Sequence, residues 1–274
     1  VNVPECAEVG AGAARVAARR RFGYIPNMSS AAERVPPASP AAAPLHLPTA
    51  YLDGFAAAPM PGEGGRHVWA YRAAVGEWRR WPTARPAGPD RHFNDADPAI
   101  LGRLAPLWEE LVALAPRVAP LLGDGLTRER RLGTEERGAL ARFLAIVGVR
   151  NTKGAADLTP EEARAGVESL SGALQEMGWV LWIAEAPDYF IGSSSPFHAA
   201  FPKGDESQTA GFGVTAPQVE ITFALSPRIA LHATWRRKGE LWRRAREEVV
   251  LEINGRTCAG AKVYLFSPQP AVPG

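Results

Sequence analysis

Val219-Glu220-Ile221-Thr222-Phe223-Ala224-Leu225, then Ser226-Pro227-Arg228, then Ile229-Ala230-Leu231-His232-Ala233-Thr234-Trp235: this stretch decides the fold class. Large apolar residues alternate with Glu, Thr and Ala through its first seven positions, and the last seven alternate again. A period of two is that of a strand with one covered face, and three residues centred on proline make a tight connection. The stretch reads as two antiparallel strands. Just upstream, Trp179-Val180-Leu181-Trp182-Ile183-Ala184-Glu185 is a nearly continuous apolar run and reads as a further strand. Val263-Tyr264-Leu265-Phe266 closes the domain as another. Residues 247–259 carry both patterns; Gly255 weakens either, and the balance falls to helix.

Working outward, the period lengthens. Asp97-Pro98 opens a helix, with an aspartate cap and proline at the first helical position, and Ile100, Leu104, Leu107, Leu111 and Leu114 form its apolar stripe. A second helix begins near Thr134, with Glu135 and Glu136 in its first turn and Leu140, Phe143 and Val147 on its buried face. Thr159-Pro160-Glu161-Glu162 is a capping box that starts a third, continued by Ala163, Val167, Leu170, Leu174 and Met177. Before them, 67–71 and 77–81 are short aromatic-rich runs with Gly76 between, the pattern of a hairpin. Helices grouped before strands give an α+β fold: an N-terminal hairpin and helices packed on a mostly antiparallel sheet.

Ten of the fifteen residues from Ser30 to Pro44 are alanine or proline. Proline removes donors and alanine offers little surface to bury, so 1–44 reads as a flexible extension and linker, 45–268 as a single domain and 269–274 as a tail. Val1 in place of methionine suggests a GTG start read literally, with Met28 the alternative start. The 274 residues are 46% hydrophobic, and 31 basic against 29 acidic side chains leave a net charge of +2. That balance excludes a strongly basic nucleic-acid coat but leaves room for local patches. No apolar run approaches the roughly 20 residues that cross a bilayer. Cys6 and Cys258 have no C-x-x-C spacing, which points to a reducing compartment and a cytoplasmic protein.

Leu45-His46-Leu47-Pro48-Thr49-Ala50-Tyr51-Leu52-Asp53-Gly54-Phe55 resembles the opening signature of the domain-of-unknown-function 4238 family, H-x-V-P-x-x-Y-L-x-x-F. Phe143-Leu144-Ala145-Ile146-Val147-Gly148-Val149-Arg150 is similar to the helix that ends in the family's R-T-P. Phe190-Ile191-Gly192-Ser193-Ser194-Ser195-Pro196 is similar to its F-x-T-S-D-N-P, and Ile221-Thr222-Phe223-Ala224-Leu225-Ser226-Pro227 to its P-L-S-P strand end. The resemblance covers 46–267 and implies a fold and a set of positions; the family brings no settled reaction. Serines replace the family's aspartate and asparagine at Ser194 and Ser195, and Asn151 follows Arg150 where the family continues R-T-P.

The motif positions supply candidates. Pro48 can begin a short helix with Tyr51, Leu52 and Phe55 inward, which sets His46 beside exposed amide donors. Their partial positive charge favours a neutral imidazole, a proton acceptor or ligand; the alternative is a hydrogen bond that orients the chain entry. Arg150 falls on the buried face of its helix, as an anion clamp or as a cation that complements the helix dipole. Gly192-Ser193-Ser194-Ser195-Pro196 lacks the glycine and following helix of a nucleophile elbow, so its hydroxyls read as partners of backbone groups in a turn. Tyr51, Ser193, Ser194 and Ser195 are the ligand-binding candidates that would close a cleft with His46 and Arg150.

Trp235-Arg236-Arg237-Lys238-Gly239-Glu240-Leu241-Trp242-Arg243-Arg244-Ala245-Arg246 mixes tryptophan with arginine, the combination that neutralises phosphates and stacks on bases. Its alternative is a solvated loop after a strand. His92-Phe93-Asn94-Asp95-Ala96-Asp97 has ligand-type residues without a second histidine at metal spacing, so no metal site is expected, and no cofactor is specified. The leading expectation is a protein that binds or acts on a phosphate-bearing ligand such as nucleic acid, using His46, Arg150, Arg236, Arg237, Arg243 and Arg244. The competing one is a non-catalytic interaction module, a degenerate member of the family. The sequence does not decide whether the protein is an enzyme.

Overall fold

The alternation over 219–235 becomes two adjacent strands whose large apolar side chains all point one way, and Tyr51 and Phe143 pack against that surface. The computed structural model describes residues 47–62, 64–72, 76–83, 98–122, 131–151, 158–200, 214–261 and 263–270, all within one compact unit. His46, the extension over 1–44, the segment 92–97 with its Asp97 cap, the side chains of Ile100 and Leu104, and the chain from 271 lie outside the described residues.

In chain order the elements are α1 (Thr49–Gly54), β1 (His67–Arg72), β2 (Glu77–Pro82), α2 (Pro98–Val118) running into a 3-10 turn (Ala119–Leu121), α3 (Thr134–Asn151) and α4 (Pro160–Glu176). Then come β3 (Gly178–Ile183), β4 (Gly192–Ser193), β5 (His198–Ala200), β6 (Glu220–Ala224), β7 (Ile229–Thr234), β8 (Glu240–Arg244), α5 (Glu247–Gly260) and β9 (Tyr264–Ser267). The fold is α+β. Two sheets take the place of the one expected: β2–β1–β9–β4, antiparallel throughout, and β5–β6–β7–β3–β8, antiparallel except for the parallel pair β3–β8. The early hairpin forms with Gly76 at φ +74°, then recruits the last strand of the chain rather than the 219–235 hairpin. Among the described residues no helix is long and apolar enough to cross a membrane.

On the five-stranded sheet, register fixes two faces. Trp179, Leu181, Ile221, Phe223, Leu231 and Ala233 share one face and are buried. Phe223 meets Phe143 of α3 edge-on at 6.5 Å between centroids, and Tyr51 of α1 at 5.5 Å. The sequence assigns α3 one apolar stripe, yet Ala139, Ala141 and Ala145 outside that stripe are buried as well. The reason is position: α3 lies among α2, α4 and the sheet. A Cβ on its Gly148 would come within 2.8 Å of Leu170 and 3.2 Å of Phe197. Arg142, the partly exposed residue of this stretch, ties the three helices together through Glu110 of α2 and Glu168 of α4. The capping box of α4 forms as read, with Thr159 Oγ1 accepting from the Glu162 amide at 3.2 Å and Glu162 Oε2 from the Thr159 amide at 2.8 Å.

A further sequence expectation is corrected. The segment from Trp235 to Arg246, read as a loop or a binding patch, contains strand β8, because its backbone pairs with the outer edge of β3: Trp179 donates to the Gly239 carbonyl at 2.8 Å and Ala245 to that of Ile183 at 2.7 Å. To reach that edge from β7, residues 235–239 cross over the start of β3. The crossing is tight enough that a Cβ on Gly178 would lie 2.7 Å from the Arg237 carbonyl, and Gly239 turns the chain at φ +77°. The Ser193-Ser194-Ser195 turn keeps its reading, with two of its hydroxyls serving backbone amides. It is buried, with Ser194 Oγ accepting from the Val263 and Tyr264 amides at 3.2 and 3.1 Å, and Ser193 Oγ from the Ser195 amide at 3.2 Å.

The crossing gives a stability prediction. Gly178→Ala forces a methyl against backbone that cannot rotate away and should cost about 2–3 kcal/mol. Gly172→Ala, at an open position of α4 with nothing within 4 Å, should instead stabilise by about 0.5–1 kcal/mol. Urea denaturation midpoints at equal m-value read both; equal shifts of one sign would contradict the crossing.

A candidate ligand groove under the last helix

The second face of the five-stranded sheet carries the residues that alternate with the core. His198 of β5, Thr222 of β6 and His232 of β7 pair directly across the strands and form one row; Glu220 lies two residues before Thr222 on the same side. Trp182 of β3 continues this face two residues beyond Val180, the partner of His232. A fully solvated face would leave these groups to water. Instead α5 lies over it, burying Val250, Ile253, Asn254 and Thr257. Asn254 fastens the helix to the 189–191 segment by accepting from the Ile191 amide at 3.0 Å and donating to the Tyr189 carbonyl at 2.9 Å.

Between helix and sheet, a cavity of about 360 Å³ is floored by Trp182, Glu220, Thr222 and His232 and roofed by Val249, Glu252, Ile253 and Arg256 of α5. The roof residues follow a spacing of three and four, one face of a helix. Arg256 Nη2 bridges two carboxylates, Glu252 Oε1 at 2.8 Å and Glu220 Oε2 at 3.3 Å. His232 Nε2 stands 3.4 Å from the same Glu220 oxygen without the geometry of a full hydrogen bond. The neighbouring His232 most of all, with Arg256 adding to it against the opposing effect of burial, holds the Glu220 carboxyl below its usual range. Burial first, and the Arg256 charge second, push the His198 imidazole down to about 4, so it is neutral at pH 7. Its ring rests against Gly260, where no Cβ would fit. The Cys258 thiol, further along α5, is pushed up by burial to about 11 and is no thiolate.

A second cavity of about 600 Å³ adjoins the first, since Trp182 and Val249 line both. Its other walls are Trp242, Arg243, Arg244 and Arg246 from β8 and the entry to α5. Arg244 is held by Glu185 at 2.7 Å, and the Trp242 indole donates to Glu240 at 2.8 Å. Arg243 and Arg246 are exposed, and no ion pair to either is found among the described residues. These two neighbouring cavities, called the groove below, carry aromatic and arginine groups in one and carboxylate, imidazole and hydroxyl groups in the other.

The sequence candidates divide on this geometry. Arg243 and Arg244 line the groove. Arg236 and Arg237 are exposed on the crossing link, at the end of β3 opposite the one that pairs with Arg244, so the four arginines do not form one patch. Arg150 is buried on α3. Tyr51 is fully buried, its hydroxyl beside the Ser193 backbone; burial drives its pKa far up against that backbone contact, leaving a neutral phenol. Neither cavity is lined by Tyr51, Arg150, Ser193, Ser194 or Ser195. Among the described residues no group of three or more His, Cys, Asp or Glu side chains is placed to hold a metal ion. Sequence reading missed Trp182, Glu220, Thr222, His232 and Arg256 because a period of two says which residues share a face, not what covers it. The signal available was Glu220, Thr222 and His232 in phase, opposite a 247–259 helix with Glu252 and Arg256 among its apolar positions.

The buried imidazole has a measurable consequence. Unfolded, His198 binds a proton near pH 6.5; folded, it does not until about pH 4. Stability from this residue is therefore complete above pH 6.5 and is lost as the pH falls, by about 2 kcal/mol at pH 5. His198→Gln should flatten the difference between urea midpoints at pH 7.5 and pH 5.0. An unchanged difference would mean that the ring is open to water.

No protein-family model matches the chain, and no curated protein or solved structure is significantly similar to it. The groove stands on its own chemistry.

Proposed function

We propose that the protein binds a phosphate-bearing ligand in the groove beneath α5, with Arg243 and Arg246 as the anion contacts. The observation that carries this reading is the placement of those two exposed guanidiniums beside the indoles of Trp182 and Trp242. Guanidinium presents a planar fork of donors that suits phosphate oxygens, and the indoles offer flat apolar surface to whatever the phosphate is attached to. Glu247 and Glu248 in the first turn of α5 do not line the cavity. Cytoplasmic residence and membership of the domain-of-unknown-function 4238 family belong to the same proposal; the first rests on the cysteine spacing, the second on the motif residues 45–55.

Arg236 and Arg237, on the crossing link that precedes β8, lie at the opposite end of that strand from Arg243 and do not share a phosphate with it, which favours a compact ligand over a long strand. The test follows quenching of tryptophan emission by inorganic pyrophosphate and by a ten-nucleotide single strand, at 50 and 200 mM salt. Pyrophosphate binding should weaken with salt and drop roughly tenfold in the Arg243→Ala, Arg246→Ala double variant, as expected for loss of charge-assisted hydrogen bonds. The Arg236→Ala, Arg237→Ala pair should leave it unchanged. Salt-independent binding, or equal loss in both double variants, would overturn the assignment. A strand that binds far more tightly than pyrophosphate and needs all four arginines would make the ligand nucleic acid.

A further inference from the structure

We infer that the polar cavity beyond Trp182 is a nucleobase pocket, so that the ligand of the groove is a nucleoside phosphate whose base edge is read by Thr222, Glu220 and Arg256. This rests on the phosphate reading of the neighbouring cavity and names the class of molecule that would fill both.

The first argument is hydrogen-bond satisfaction. Buried polar groups in folded proteins almost always have partners, and leaving one unmade costs about 1–3 kcal/mol. At this site Thr222 Oγ1, Trp182 Nε1, His232 Nε2 and Arg256 Nη1 are all buried and all without a hydrogen-bond partner among the described residues. Three of the four residues lie on one face of neighbouring strands, and the fourth faces them from α5. Donors (the indole and guanidinium N–H) and acceptors (the Glu220 and Glu252 carboxylates) stand together, with the Thr222 hydroxyl able to act as either. That is the mixture presented in return by the edge of a purine or pyrimidine.

Charge selects among ligands that could use those groups. A second phosphate would meet Glu220 and Glu252. An ammonium would meet the guanidinium of Arg256, which stands between the two carboxylates and bonds to both. A neutral heterocycle with donors and acceptors is opposed by neither. Shape agrees: Val249 and Ile253 on one side and the Trp182 indole on the other give apolar walls for a flat ring. A cavity of about 360 Å³ lies at the small end of the range for small-molecule sites. The His198–Thr222–His232 row backs it, so it accepts the end of a ligand and not the interior of a strand.

The experiment is calorimetric titration of the whole chain with the four ribonucleoside monophosphates, with ribose 5-phosphate and with the free nucleosides. At least one monophosphate should bind tenfold or more tightly than ribose 5-phosphate. Thr222→Val should erase that advantage while leaving ribose 5-phosphate binding unchanged. Glu252→Gln, an exposed position that does not threaten folding, should reduce it several-fold in the same selective way. If ribose 5-phosphate binds as well as every monophosphate, the base pocket is wrong and the phosphate reading survives. If a nucleoside binds as tightly as its monophosphate, the base pocket survives and the phosphate reading fails. No binding by any of them overturns both.

Discussion

A strand has two faces and no third choice, and the domain depends on what that does to residues 219–235. Once Ile221, Phe223 and Leu231 turn toward α3, Thr222 and His232 must turn the other way, and Glu220 with them. Burial of the apolar set thereby fixes the position of the polar set to within the geometry of a sheet. A loop could not hold an imidazole, a hydroxyl and a carboxylate in register; two hydrogen-bonded strands do so as a by-product of core formation. The roof is positioned on the same economy, since Asn254 docks α5 through backbone groups of the 189–191 segment and leaves Glu252 and Arg256 facing the sheet.

The electrostatics of the groove are graded along its length. At the β8 end the guanidiniums are exposed, and an ion pair there, Arg244 with Glu185, is in water and contributes little. At the α5 end Arg256 and Glu220 are mostly covered, and an ion pair there is weak support for stability because both charges are taken from water. The two ends thus differ in burial, with exposed guanidiniums at one and a covered guanidinium between two carboxylates at the other.

Much of the architecture was legible from one sequence. The helix starts at Thr134 and Thr159, the turn at Ser226, the early hairpin with Gly76 and the helical reading of 247–259 all follow from local chemistry, and local chemistry is what sequence carries most directly. The parallel placement of β8 was not legible, because it depends on a crossing made possible by a glycine sixty residues away, Gly178. Nor was the groove. The motif positions that drew attention, Tyr51, Arg150 and Ser193 to Ser195, are buried, and the serine hydroxyls of 193 and 194 serve backbone amides. The residues that converge on the groove had ordinary explanations one at a time. Glu220, Thr222 and His232 look like the wet side of a strand until α5 is seen lying on them.

The crossing of β3 by residues 235–239 also bears on how the chain stays dispersed. Until β8 is delivered by that link, the outer edge of β3 presents unpaired amides and carbonyls beneath Trp179, Val180 and Leu181, a template for another copy of the same strand. β8 covers it and becomes the sheet margin among the described strands, with Arg243 and Arg244 projecting from that margin as charges that repel a second sheet. The guanidiniums that line the groove thus also place positive charge along the margin of the sheet, where an uncharged strand would invite pairing.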